Sequence, residues 1–129
     1  MTEKEIANEL KKYEAFGFNY YQLNEIEKGL RQNLNICMYA KLELDWTQMK
    51  QVRVGLIKGL NVSLYNKSCY GEYEMEQIRF GLEDGIDISL FLNPNLNYLE
   101  MLKIRRYLTN RKEAGLDEHW TKIKKKYEW

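Results

Sequence analysis

Apolar residues return to the same places every 26 residues along this chain. Segments beginning at Phe18, Leu44, Tyr70 and Leu96 align without a gap. In the second segment Trp46, Met49, Val52 and Leu56 follow helical spacing, and Leu60, Val62 and Leu64 then alternate. The third repeats this with Met75, Ile78 and Leu82, then Ile86, Ile88 and Leu90. The first has Leu23, Ile26 and Leu30, then Leu34, Ile36 and Met38. The fourth starts in register at Met101, Ile104 and Leu108 and then departs. Self-similarity at a fixed short period is the signature of stacked repeat architectures.

Each unit carries its own helix punctuation. Asn19, Asp45, Gly71 and Asn97 occupy one column, and Gln22, Gln48, Glu74 and Glu100 follow three residues later. That is capping-box spacing. Asn33, Gly59 and Gly85 stand where each helix should stop, because these residues tolerate a left-handed backbone. The expected helix of the second unit therefore covers about residues 46 to 58. After it, Leu60, Val62 and Leu64 would also suit a short strand. Asn35, Asn61 and Asp87 favour a turn instead, each able to bond the amide two residues on. The turn is the preferred expectation, with a short helical or 3₁₀ segment near Ser63. The alternative is an α/β solenoid of the leucine-rich-repeat kind, whose asparagine spacing fits poorly here.

Two further columns stand out. Gly29, Gly55 and Gly81 lie inside the helices, where Gly costs about 1 kcal/mol relative to Ala. Their recurrence predicts a close backbone approach, expected between neighbouring units, with Tyr107 in the fourth copy freed from it. Arg53, Arg79 and Arg105 share another column, in which the first unit has Glu27. Such a ladder could grip phosphates or acidic groups. Because it recurs together with the core columns, bonding inside the stack is favoured, to loop carbonyls or to the Asn35, Asn61 and Asp87 column.

A lone unit offers too few large apolar side chains to offset the ordering of its backbone, so units must stack. The predicted fold is all-α: a short-unit, 26-residue helical repeat solenoid over residues 1–129. A capping helix spans 2–16, with Thr2 and Glu5 as its capping box and Ile6, Leu10 and Tyr13 on one side. The repeats cover 18–43, 44–69, 70–95 and 96–116. Gly115-Leu116-Asp117 repeats the helix-end pattern four residues late, which lengthens the fourth helix by about one turn. A C-terminal helix at 117–129, with Trp120, Ile123 and Tyr127 on one face, closes the other end.

Composition narrows the class. Apolar residues make up 44% of the chain, and no apolar run is long enough to span a membrane. The N-terminal stretch is polar and of mixed charge, so a cytoplasmic protein is expected, and the glycosylation-type stretches at Asn61 and Asn66 carry no weight. Net charge is +1, but residues 103–126 hold nine Lys or Arg against three acids. That segment could meet an acidic partner or nucleic acid.

Catalytic chemistry has no foothold in the sequence. His119 is the single histidine. Cys37 and Cys69 match no zinc or redox spacing, and Cys37, in a column of serines, is expected to be small and half-buried. The repeated glycines sit at helix columns, not in a phosphate-cradling loop. No catalytic residue, metal site or cofactor is predicted.

Gln48-Met49 and Ile78-Arg79-Phe80-Gly81-Leu82-Glu83-Asp84-Gly85-Ile86-Asp87-Ile88-Ser89 carry a resemblance. They are similar to a QMxxIRxGLxxGLDVSxY-type repeat that recurs in uncharacterised proteins of Gram-positive gut bacteria and their mobile elements. The likeness spans roughly residues 18 to 110. It implies a helical repeat architecture and leans toward phage or plasmid biology, where inhibitors of host defence complexes, such as anti-CRISPR proteins, are one role.

Columns that repeat should serve the stack, so a partner should be met by columns that vary. One side of the helix carries Tyr21, Thr47, Tyr73 and Leu99 in one such column and Lys28, Val54, Phe80 and Arg106 in another. Tyr21, Val54, Ile57, Tyr73, Phe80 and Arg106 are the candidate partner-binding residues of a non-catalytic protein–protein interaction module. Val54 and Phe80 would otherwise fill gaps against the preceding loop. The other function class is nucleic-acid binding through residues 103–126.

Overall fold

The capping signals operate as hydrogen bonds. Asn19 Oδ1 accepts the backbone N–H of Gln22 at 2.9 Å, while Gln22 Oε1 accepts that of Asn19 at 2.9 Å. Asp45 with Gln48 and Asn97 with Glu100 make the same reciprocal pair, and Thr2 with Glu5 does so at the first helix. Gly71 lacks a side chain to contribute. The computed structural model describes residues 1–113. Among them five helices form: α1 (Glu3–Ala15), α2 (Tyr20–Arg31), α3 (Trp46–Ile57), α4 (Glu72–Asp84) and α5 (Tyr98–Glu113). The expected final helix at 117–129, His119 and the distal part of the basic segment lie outside the described residues.

The helix stops fall where the sequence places them. Asn33, Gly59 and Gly85 take φ of 56°, 69° and 67°. The next residue in each case, Leu34, Leu60 or Ile86, returns its N–H to the carbonyl of Gly29, Gly55 or Gly81. These bonds satisfy helix-end carbonyls that would otherwise lack partners.

The second half of each unit is a short 3₁₀ turn: Ile36–Met38, Val62–Leu64 and Ile88–Leu90. No strand occurs among the described residues, so the horseshoe alternative is absent there. The expected side-chain bond that opens the turn appears at Asp87, whose Oδ1 accepts the N–H of Ser89 at 3.0 Å. Asn35 and Asn61 make no such bond to the backbone, and Asn61 Oδ1 accepts from the Ser63 hydroxyl instead.

Successive helices pack on one another, α1 on α2 through to α4 on α5. The core fills column by column. Leu44, Met49, Val52, Val62 and Tyr65 are buried in one unit, and Tyr70, Met75, Ile78, Ile88 and Phe91 in the next. The first helix buries Ile6 and packs Leu10 and Tyr13 against this core. At the surface the Arg31 guanidinium donates to both carboxylate oxygens of Glu3, at 2.6 and 3.0 Å, and holds that carboxyl below the usual range.

The mid-helix glycines have a reason other than the expected one. A Cβ at Gly55 would lie 2.1 Å from the Tyr65 hydroxyl and 2.7 Å from Val62 Cγ1. A Cβ at Gly29 would likewise overlap Tyr39 and Ile36, and one at Gly81 would overlap Phe91 and Ile88, though Phe91 less severely than the tyrosines. The close approach is thus between a helix and the 3₁₀ turn of its own unit, not between backbones of neighbouring units. The turn's tyrosine fills the space and donates to the helix: Tyr39 to the carbonyl of Glu25 and Tyr65 to that of Gln51, each at 2.7 Å. Burial pushes both phenols well above their ordinary pKa. Tyr107 occupies the glycine column in α5, where it is exposed.

Candidate interaction surface

The arginine column faces inward. Arg53 Nε donates to Glu25 Oε2 at 2.7 Å, Arg79 Nε to Gln51 Oε1 at 3.0 Å, and Arg105 Nε to Gln77 Oε1 at 2.9 Å. Each bond reaches back to the preceding helix over the same sequence separation. The partners are helix side chains two columns away, not loop carbonyls or the Asn35, Asn61 and Asp87 column. Glu25 and Arg79 are buried, and Arg79 also pairs with Glu83 at 2.9 Å. The ladder is therefore occupied by structural bonds and offers no free guanidinium row to a ligand.

A second recurring bond was not foreseen. The capping glutamines use both ends of the amide. Gln22 Nε2 donates to the carbonyl of Leu44, and Gln48 Nε2 to that of Tyr70, each at 2.7 Å. A glutamine thus ties its own N-cap to the entry of the next helix. The sequence signal was present, since Glu makes an equally good capping box but has no hydrogen to donate.

The predicted partner-binding residues divide into two groups. Tyr21, Ile57 and Tyr73 are exposed large hydrophobics, and Arg106 is exposed. Val54 and Phe80 are half-buried. Phe80 lies against two arginines of the ladder. The guanidinium carbons of Arg79 and Arg105 lie 4.7 and 5.3 Å from its ring centroid, which makes it part of the ladder's packing.

The structure adds rings that varying columns alone did not select. Tyr20, Trp46 and Tyr98, at the first helical position of their helices, are exposed like Tyr21 and Tyr73. Tyr21 meets Trp46 with ring centroids 6.2 Å apart, and Tyr73 meets Tyr98 at 5.3 Å. Tyr20 stands edge-on to Tyr21 at 5.4 Å. The aromatics therefore form two clusters across the N-terminal ends of α2 with α3 and of α4 with α5. Thr47 and Glu72 hold the equivalent positions between α3 and α4. Beside the first cluster, Leu10, Tyr20, Leu23, Asn24 and Glu27 line an open groove between α1 and α2.

Paired rings with polar tips bury much apolar area at low entropic cost. Among the described residues no group of His, Cys, Asp or Glu is arranged to hold a metal ion. Cys37 and Cys69 are exposed and unbridged, so Cys37 is not the half-buried residue expected. No described helix is long and apolar enough to cross a membrane. No family model matches the chain, and no curated protein or solved structure matches it either.

Proposed function

We propose that the chain is a helical solenoid of 26-residue units that binds a protein partner through its exposed aromatic clusters, without catalysis. The architecture is supported by bonds that recur unit by unit: arginine to the preceding helix, glutamine to the following one, and turn tyrosine to its own helix. A regular stack of this kind is rigid and suits presentation of a surface. One observation carries the binding role. The Tyr21–Trp46 and Tyr73–Tyr98 rings stay exposed and meet across neighbouring helices, although the same helices bury Ile26, Met49, Val52, Met75, Ile78 and Met101. Exposed aromatic patches of this kind mark interfaces.

The likeness of the repeat columns to mobile-element proteins points the partner toward a host defence complex, as for an anti-CRISPR inhibitor. Two exposed, unbridged thiols suit a reducing cytoplasm. The test is affinity purification from a native host, with mass spectrometry of what the chain retains. Retention of a defined complex, lost when Tyr21→Ala and Tyr73→Ala are combined, supports the proposal. Recovery of no protein in a host that makes the chain, or equal recovery by the variant, contradicts it.

A further inference from the structure

One helix face changes character in α5, the last helix among the described residues. In α3 and α4 the columns of Gln51 and Gln77, Val54 and Phe80, Gly55 and Gly81, and Lys58 and Asp84 receive what comes next. Gln51 and Gln77 accept from the following arginine. Gly55 and Gly81 lie under their turns. Lys58 pairs with Glu83, and Asp84 faces Arg105 at 3.6 Å. In α5 the same four columns hold Lys103, Arg106, Tyr107 and Asn110, all exposed. Their spacing of three, one and three residues places them on one side of the helix.

The replacement is chemically one-sided. Two neutral amides give way to a lysine, two half-buried apolar residues to an arginine, and two glycines to a tyrosine. Arg111 lies beside that tyrosine, its guanidinium carbon 5.4 Å from the Tyr107 ring and its Nη1 donating to the hydroxyl at 3.2 Å. Asp84, at the end of the preceding helix, faces Arg105.

We infer that this face of α5 binds a nucleic-acid strand, independently of the aromatic clusters proposed for the protein partner. Lys103 and Arg106 would neutralise phosphates, and Tyr107, flanked by Arg111, would stack on a base. Cationic grip combined with an exposed ring is the usual chemistry of single-strand binding.

The experiment is fluorescence anisotropy of a labelled single-stranded oligothymidylate titrated with the full chain. Neutralising about two phosphates predicts saturable binding that weakens roughly sevenfold between about 50 and about 200 mM salt. Lys103→Glu with Arg106→Glu should weaken it at least about tenfold and flatten the salt dependence. Tyr107→Ala should weaken it about tenfold with the salt dependence unchanged. All these side chains are exposed, so thermal melts of both variants should match the parent. No saturable binding at the lower salt, or variants that bind like the parent, would overturn the inference. So would displacement by polyglutamate as effective as by unlabelled oligonucleotide, because polyglutamate carries charge without a base.

Discussion

Gln48 Nε2 donates to the carbonyl of Tyr70 at 2.7 Å while Oε1 of the same amide accepts the N–H of Asp45 at 2.9 Å. Gln48→Glu keeps the cap but sets a buried carboxylate oxygen against a carbonyl. Losing the donor and leaving the acceptor unpaired should cost about 2–3 kcal/mol near neutral pH. The variant's folded state favours the protonated carboxyl, which can donate, so its folded pKa lies above the ordinary carboxylate value. The lost stability should then return as the pH falls through that raised folded value, be fully recovered below about 4, and be absent at pH 7. Urea unfolding of both proteins across that range checks it, and a pH-independent difference would contradict it.

Gly55→Ala should destabilise the fold even though alanine is the better helix former by about 1 kcal/mol. The new methyl would lie 2.1 Å from the Tyr65 hydroxyl, and relieving that overlap should cost about 1–3 kcal/mol beyond the propensity gain. Tyr107→Gly, in the same column of α5 where the side chain is exposed, should lose only about 0.5 kcal/mol through propensity. Equal melting temperatures for Gly55→Ala and the parent would show that the turn yields freely.

The arginine column should be graded by what each guanidinium faces. Arg53 faces the buried carboxylate of Glu25, whereas Arg105 faces the neutral amide of Gln77 and, more distantly, the exposed carboxylate of Asp84. Arg53→Ala leaves Glu25 with only Lys28, 3.3 Å away at the surface, and should cost about 3–5 kcal/mol. Arg105→Ala should cost about 1–2 kcal/mol. Adding Glu25→Gln to Arg53→Ala should recover part of the loss, and a double-mutant cycle measures it.

Alkaline pH offers a further check. The Tyr39 and Tyr65 phenols have their pKa values raised by burial. Their stabilising contribution is complete below the ordinary phenol pKa near 10 and is lost as the pH climbs past it. The parent should therefore lose stability between about pH 10 and 12, and Tyr39→Phe with Tyr65→Phe should lose less. Phe91 already fills the same position without a hydroxyl, so the substitution itself should be tolerated. Parallel loss in both proteins would place the alkaline transition elsewhere.

Much of the backbone was legible because local chemistry fixes it. The caps at Asn19 and Asp45 and the stops at Asn33, Gly59 and Gly85 depend on a few adjacent residues. Contacts between units were less legible. The arginines bond within the fold, as their column suggests, yet their partners Glu25, Gln51 and Gln77 follow from how one helix is rotated against the next, which spacing along a single helix does not encode. The glycine column announced a close approach but not its partner, since Tyr39, Tyr65 and Phe91 fold back from ten residues downstream. Of the candidate surface, Tyr21 and Tyr73 were found because their column varies. Trp46 and Tyr98 were missed because a ring at a helix's first position also looks like core, and only the pairing across neighbouring helices shows otherwise.

The central claim is that repeating columns hold the stack while the exposed aromatic clusters bind a protein. Its most direct test is titration calorimetry of the captured partner against the parent and the Tyr21→Ala, Tyr73→Ala variant, with thermal melts alongside. Removing two aromatic anchors should weaken binding about a hundredfold or more, with a melting temperature within about 3 °C of the parent because both side chains are exposed. A variant that melts like the parent and binds as tightly would contradict the account.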